Sequence, residues 1–283
     1  MATAEKRPYA LPRDAAETTR LDLQARAYDQ NIGYTIHPEI AKSLPATAVI
    51  ADVACGTGAW MLNLASQMPS TYRFHGLDMS AEQFPPTHPE NCAFGTLNLL
   101  EPIPPEMQGR FDMVHMRLLI VGLTGDDWHI APTNALQMLK PGGWLQWCEA
   151  DYEQTTALQM QSGASTQAMR QSLQMMLKKG REHGKFGGDV GRLFNTVHQA
   201  GFQNCSEDIV SSDRIPSTRQ GLTLVSQNAI AKIYKIMADQ EQAADAATKH
   251  LDAVLEQCEA EIAGGKTYWR FDIHTVIGQR PLT

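Results

Sequence analysis

The stretch Val49-Ile50-Ala51-Asp52-Val53-Ala54-Cys55-Gly56-Thr57-Gly58-Ala59-Trp60 decides how the rest of the chain is read. Its apolar opening, Val49 to Val53, reads as a short buried strand. A turn of small residues follows, with glycines at 56 and 58, and then an apolar helical pattern through Trp60, Leu62 and Leu64. Strand, glycine turn and helix form the opening half of a nucleotide-binding βαβ unit. Glycine lets a ligand lie against the backbone, and a helix N-terminus presents unpaired N–H groups. Small residues also make tight structural turns with no ligand, so the stretch needs support from elsewhere. A dinucleotide fingerprint would require a third glycine at position 61, where Met61 stands.

Working outward, Tyr72 to Asp78 reads as a second strand ending in a carboxylate, where a βαβ unit places the group that accepts ribose hydroxyls. Asp78 is read in that role, with Met79 beside it; the alternative is a cap for a helix begun by Ser80 and Glu82. Asn91–Gly95 is a third strand, followed by Asn98 and Leu99. Phe111–Met116 is a fourth, with Arg117 just beyond it. Ligands of open α/β sheets sit beyond the carboxyl ends of the strands, so His115, Met116 and Arg117 are expected to face the pocket. His115 reads equally as a buried, hydrogen-bonded strand histidine. Lys140-Pro141-Gly142-Gly143 stops a helix, and a fifth strand begins at once, running through Glu149. A helix from Asp14 carries Leu21, Ala25, Tyr28 and Ile32 on one face. Residues 1–13 form a loose arm. Tyr268–Gly278 alternates as a last strand.

At 283 residues, 43% hydrophobic and 19% charged, the chain can bury a full core as one large domain or one domain with a cap. A net charge of −7 argues against general binding to nucleic acid or anionic membrane. The five cysteines lie far apart, with no zinc-ligand spacing, so no metal site is expected. No stretch is long and apolar enough to span a bilayer, and the N-terminus lacks the apolar core of a signal peptide. The cytosol is the expected compartment, and oligomeric state is left open.

The turn, written Asp52-x-Ala54-x-Gly56-x-Gly58, resembles the first motif of the class I S-adenosylmethionine-dependent methyltransferases, with alanine for the first glycine. Leu139-Lys140-Pro141-Gly142-Gly143 resembles the motif that follows their fourth helix. The likeness covers residues 45–150 motif by motif and 190–278 by element order. The runs at 52–60, 110–119 and 139–149 look most like the methyltransferases of fungal secondary-metabolite clusters. The resemblance implies a Rossmann-like α/β fold: a seven-stranded mixed sheet with an antiparallel last strand, helices on both faces and a helical substrate cap. It implies that Asp52, Ala54, Cys55, Gly56 and Gly58 hold the amino-acid end of S-adenosylmethionine and that Asp78 and Met79 meet its ribose side. Asn98 and Leu99 would meet adenine, and S-adenosylhomocysteine would be the product. Helices within 1–44, including Tyr28, would fold across the cofactor mouth. The core would occupy 45–151, 190–213 and 241–283, with a cap at 152–189 and a lid at 214–240. Methionines in the cap suit a bulky, partly apolar small-molecule acceptor.

The sulfonium makes its methyl group electrophilic, so the enzyme mainly has to align a nucleophile and exclude water. A hydroxyl acceptor gains from a base. His115 and Glu149 are the candidates, with Asp151 and His183 behind them; His37, His198 and His274 read as structural. Two other readings stand beside methyl transfer to O, N or S: a cyclisation steered by bound cofactor, and a non-catalytic cofactor-binding regulator.

Overall fold

The structure is a computed structural model that describes residues 15–240 and 245–283. The arm expected over 1–13 lies outside the described residues, as do the side chains of Met237 and Leu251. In chain order the elements are α1 (Ala15–Ile32), α2 (Pro38–Ser43), β1 (Val49–Val53), α3 (Ala59–Ala65), β2 (Arg73–Asp78), β3 (Cys92–Thr96) and β4 (Phe111–Arg117). There follow α4 (Asp127–Met138), β5 (Leu139–Gln159), α5 (Gln167–Glu182), α6 (Leu193–Gln199), β6 (Gln203–Ser211), α7 (Arg219–Gln240), α8 (Asp245–Ile262) and β7 (Thr267–Gln279).

The seven strands form one sheet in the order β3-β2-β1-β4-β5-β7-β6. β1 to β5 pair in parallel, while β7 runs antiparallel between β5 and β6. This is the mixed sheet the sequence implied. β1 lies between β2 and β4, so the chain order reverses at β1, and the crevice at the strand ends there is where such sheets bind ligands. Alternation along β1 separates two cores. Ile50 packs with Trp60, Met61 and Leu64 of α3 and Ile40 of α2. Ala51 and Val53 join the larger cluster, which takes in Ala131, Ala135 and Met138 of α4.

Two boundaries differ from expectation. β5 does not end near Asp151; it continues to Gln159 because β7 keeps pairing with it, Thr156↔Arg270 through Gln159↔Thr267, after a bulge between 151 and 156. The first eight residues assigned to the cap are therefore strand. The cap and lid segments, read as two halves of one cover, are the helices α5 and α7, and they pack against each other and against α8. α8, expected in the core, thus belongs to the same helical layer. α7 also packs on α1 and β7, which brings that layer to the carboxyl ends of β4 and β5.

Candidate active site

The glycine turn is built from left-handed residues: φ is +58° at Ala54, +54° at Gly56 and +72° at Gly58. Gly56 and Gly58 adopt this freely, whereas Ala54 is strained there by ~1 kcal/mol. A Cβ at Gly58 would lie 2.6 Å from the Phe94 ring, and one at Gly76 2.7 Å from it. These two glycines make room for an aromatic side chain of β3, a packing role that the spacing of glycines did not reveal. The N–H groups are used internally as well. Cys55 N–H donates to Leu77 O (3.1 Å), Gly58 N–H to Cys55 O (2.8 Å) and Gly56 N–H to Asp78 Oδ2 (2.9 Å). α3 spans only seven residues, so the turn owes its shape to these bonds.

Asp78 ends β2. Its Oδ2 accepts from Gly56 N–H, and Oδ1 accepts from Ser80 N–H at 3.2 Å. The two bonds fix the direction of the carboxylate and lock the ends of β1 and β2 together. Beside it Met79 is 48% exposed, a large apolar side chain left open at the strand ends, while Leu99 is buried. Asn98 stands at the end of the neighbouring strand. Its Oδ1 accepts from Leu100 N–H (3.1 Å) and its Nδ2 donates to Glu101 (3.1 Å), so the amide oxygen already serves its own turn. A half-buried carboxylate and an exposed apolar neighbour at the end of β2, with an amide just beyond β3, would fit the ribose and adenine of S-adenosylmethionine.

α1 closes over this turn. Thr57 Oγ1 donates to Asp22 (2.9 Å), and the Leu21 side chain lies against Gly56. Arg117 ends β4 and pairs with Asp29 of α1 at 2.9 Å, its guanidinium 5.7 Å from the Tyr28 ring centre. Tyr28 is fully buried beneath α1, and burial pushes its phenol well above the ordinary range. No sequence signal marked Asp22 or Asp29, because each meets a partner distant in the chain.

His115 and Met116 do not open to solvent. β4 runs through Arg117, which leaves His115 two residues inside the strand end and 1% exposed, and Met116 in the core. The imidazole stacks on Trp60 with ring centres 3.7 Å apart, and Nδ1 lies 2.8 Å from Asp52 Oδ1. An ionised carboxylate only accepts, so Nδ1 carries the proton. Burial holds the imidazole below its ordinary range, against the opposing pull of Asp52. Asp52, His115 and Gln146 stand abreast on β1, β4 and β5. Gln146 in turn accepts from His37 N–H (2.7 Å) and donates to Thr35 O (3.0 Å). This polar row ties the sheet to the α1–α2 link.

Glu149 is likewise fully buried, because β5 runs ten residues past it. Oε1 accepts from Trp147 Nε1 and Leu119 N–H, both at 2.7 Å, and Oε2 from Ile120 N–H at 3.3 Å. Burial raises its carboxyl to about 7 against these three donors. The carboxylate anchors the left-handed turn after β4. Asp151 caps its own bulge through Glu153 N–H (3.0 Å) and Gln154 N–H (3.3 Å). His183 lies in the loop after α5, its Nδ1 2.9 Å from Lys179 O. The structure therefore gathers Asp78, Met79, Asn98 and the turn 54–58 at the strand ends, and sets His115 and Glu149 inside the sheet.

Comparison with known proteins agrees with this fold. The methyltransferase domain family matches residues 50–143. Methyltransferase grgD of Penicillium sp is 31% identical over 247 residues, which cover 83% of this chain and 84% of that protein. The chain belongs to the class I S-adenosylmethionine-dependent methyltransferases, and its relatives are methyltransferases of fungal secondary metabolism. N-methyltransferase verN of Clonostachys rogersoniana is 28% identical over 51% of this chain and 50% of its own length. Protein-methionine methyltransferase laeA of Emericella nidulans is 28% identical over 51% of this chain but only 37% of its own length. A chain of the Haloferax volcanii complex between the Trm112 activator and a methyltransferase matches in fold, with TM-score 0.52 and 13% identity over 94% of this chain and 95% of that one. Among the described residues no helix is long and apolar enough to cross a membrane, and no group of three metal-ligating side chains comes together.

Proposed function

We propose that this chain transfers a methyl group to an O, N or S atom of a bulky, partly apolar natural product. The observation that carries the reading is the likeness to grgD, which runs through the helical layer as well as the cofactor core. In this reading the turn 54–58 receives the amino-acid end of the cofactor and Asp78 its ribose, with Met79, Asn98 and Leu99 at adenine. When bound, the cofactor supplies an electrophilic methyl group. The chain's own residues align the acceptor and exclude water, α1 from above through Asp22 and Asp29 and the α5–α7–α8 layer from the side. Five unpaired thiols support a reducing, cytosolic setting. The likeness to laeA favours a second reading, in which the acceptor is a protein.

The test incubates the purified chain with cofactor carrying an isotopically labelled methyl group, together with an organic extract and a protein extract of the source organism. Label in a small molecule is the expected result, and fragmentation then identifies the acceptor atom. Label confined to protein supports the second reading. Cofactor-dependent conversion of a metabolite without label transfer overturns both.

A further inference from the structure

Ile50, Met113 and Trp144 stand abreast on β1, β4 and β5 and pack against α3. Two residues nearer the carboxyl ends, the same alternation sets Asp52, His115 and Gln146 abreast. A polar row thus replaces the apolar one where the strands approach the glycine turn, which begins at Ala54. Burying a charged side chain inside a sheet is costly unless its partners are complete. The partners of Asp52 are complete on one side only.

Its Oδ1 accepts from His115 Nδ1–H at 2.8 Å. Among the described residues no hydrogen bond reaches Oδ2, although the residue is 3% exposed. Oδ2 is not sealed as Trp144 Nε1 is; it touches space that a water-sized group can enter. The carboxylate also faces the turn. The Cys55 thiol is pushed far above its ordinary range by burial first, and then by the charges of Asp52 and Asp78. A nearly buried carboxylate with one oxygen unclaimed, at the foot of a ligand-binding turn, is the place for a cationic group.

His115 is held to aim that oxygen. Its ring lies on Trp60 with centres 3.7 Å and planes 7° apart. Trp60 Nε1 donates to Thr35 O at 3.3 Å, and Gln146 Nε2 donates to the same oxygen at 3.0 Å. The ring is clamped by its stack and the bond at Nδ1, so the carboxylate it grips is fixed as well. Burial keeps the imidazole below its ordinary range against the pull of Asp52; Arg117 and Asp29 act on it more weakly, with opposite signs. A neutral imidazole orients Asp52 without cancelling its charge.

We propose that His115 is a positioning residue for the cofactor: its Nδ1–H turns the Asp52 carboxylate so that Oδ2 receives the ammonium of the cofactor's amino-acid end. The proposal rests on the cofactor reading of the turn and assigns a role to two residues that touch little solvent. The amino-acid end carries one ammonium and one carboxylate. A fixed anion beneath the turn attracts the first and repels the second, so it sets which way that end lies.

The experiment titrates S-adenosylhomocysteine and 5′-methylthioadenosine into the full chain by calorimetry. The second compound keeps the adenosine and the sulfur but ends in a methyl group, with no ammonium. Wild type is expected to bind S-adenosylhomocysteine about tenfold more tightly. His115→Phe keeps a ring on Trp60 and removes the donor, so it should erase most of that preference and leave 5′-methylthioadenosine affinity unchanged. His115→Asn, whose amide can donate to Asp52, should keep the preference to within about threefold of wild type. In an Asp52→Asn background, His115→Phe should have no further effect on it, as expected of a residue that acts through the carboxylate. If His115→Phe fails to fold, NMR of wild type labelled with nitrogen-15 histidine decides. The Nδ1–H signal, identified by its loss in His115→Asn, should move with S-adenosylhomocysteine and not with 5′-methylthioadenosine; movement with both, or with neither, overturns the proposal. So does the absence of a preference in wild type, a preference that survives His115→Phe or is lost in His115→Asn, equal losses for the two compounds, or a further loss in the Asp52→Asn background. In each of these cases binding of 5′-methylthioadenosine to wild type leaves the cofactor reading standing. Binding of neither compound overturns both.

Discussion

Replacing Glu149 by glutamine should change how stability depends on pH. The wild-type carboxyl is fully buried and titrates at about 7 instead of its ordinary 4.5, chiefly through burial. Between those limits the native state keeps a proton that the unfolded chain has released. The contribution is therefore fully present below about pH 4.5, falls through the window, and is gone above about 7. Its size is ~3 kcal/mol. Glutamine is permanently neutral and removes this dependence. Its amide oxygen can still accept from Trp147 Nε1 and Leu119 N–H, but its NH₂ then meets the N–H of Ile120, at a cost of ~1 kcal/mol at every pH. The variant should thus be slightly less stable than wild type near pH 4.5 and more stable above pH 8. Urea unfolding followed by circular dichroism at intervals from pH 4.5 to 8.5 measures the difference, in which other titrating groups cancel. A wild-type-minus-variant difference that stays constant across the window would refute the reasoning.

Two substitutions in the glycine turn should move stability in opposite directions. Gly58→Ala places a Cβ 2.6 Å from the Phe94 ring at φ +72°, and urea unfolding should show a loss of ~2 kcal/mol. Ala54→Gly relieves a left-handed alanine at φ +58°, and the same assay should show a gain of up to ~1 kcal/mol after the added freedom of the unfolded chain is counted.

The parts of the fold that were legible in the sequence are those set by local chemistry. An apolar run ending in Gly56 and Gly58 is a strand meeting a turn, and Pro141-Gly142-Gly143 stops a helix whatever surrounds it. The place of Asp78 at the end of β2 was legible because strand, turn, helix and strand have nearly fixed lengths. The extent of β5 was not: Asp151, Glu153 and Gln154 look like a loop, and only the partner strand β7 shows that pairing resumes after the bulge. The depth of Glu149 was hidden for a related reason, and of the two readings open for His115 the structure shows the buried, hydrogen-bonded one. A strand end read one residue short, or ten, turns a buried side chain into an apparent pocket residue. The meeting of Tyr28, Tyr152 and Ser226 is invisible in sequence because they stand 74 to 198 residues apart and come together only when α7 packs on α1. Ser226 itself looks like an ordinary polar residue in an amphipathic helix.

The central claim is that the turn 54–58 and Asp78 form the cofactor site, and titration calorimetry of S-adenosylhomocysteine against wild type and Asp78→Ala tests it most directly. The wild-type chain should bind, and the variant, with unchanged circular dichroism, should bind at least tenfold more weakly, as expected when charge-assisted hydrogen bonds to ribose are lost. Equal affinity in a folded variant would contradict the account and place the ribose elsewhere.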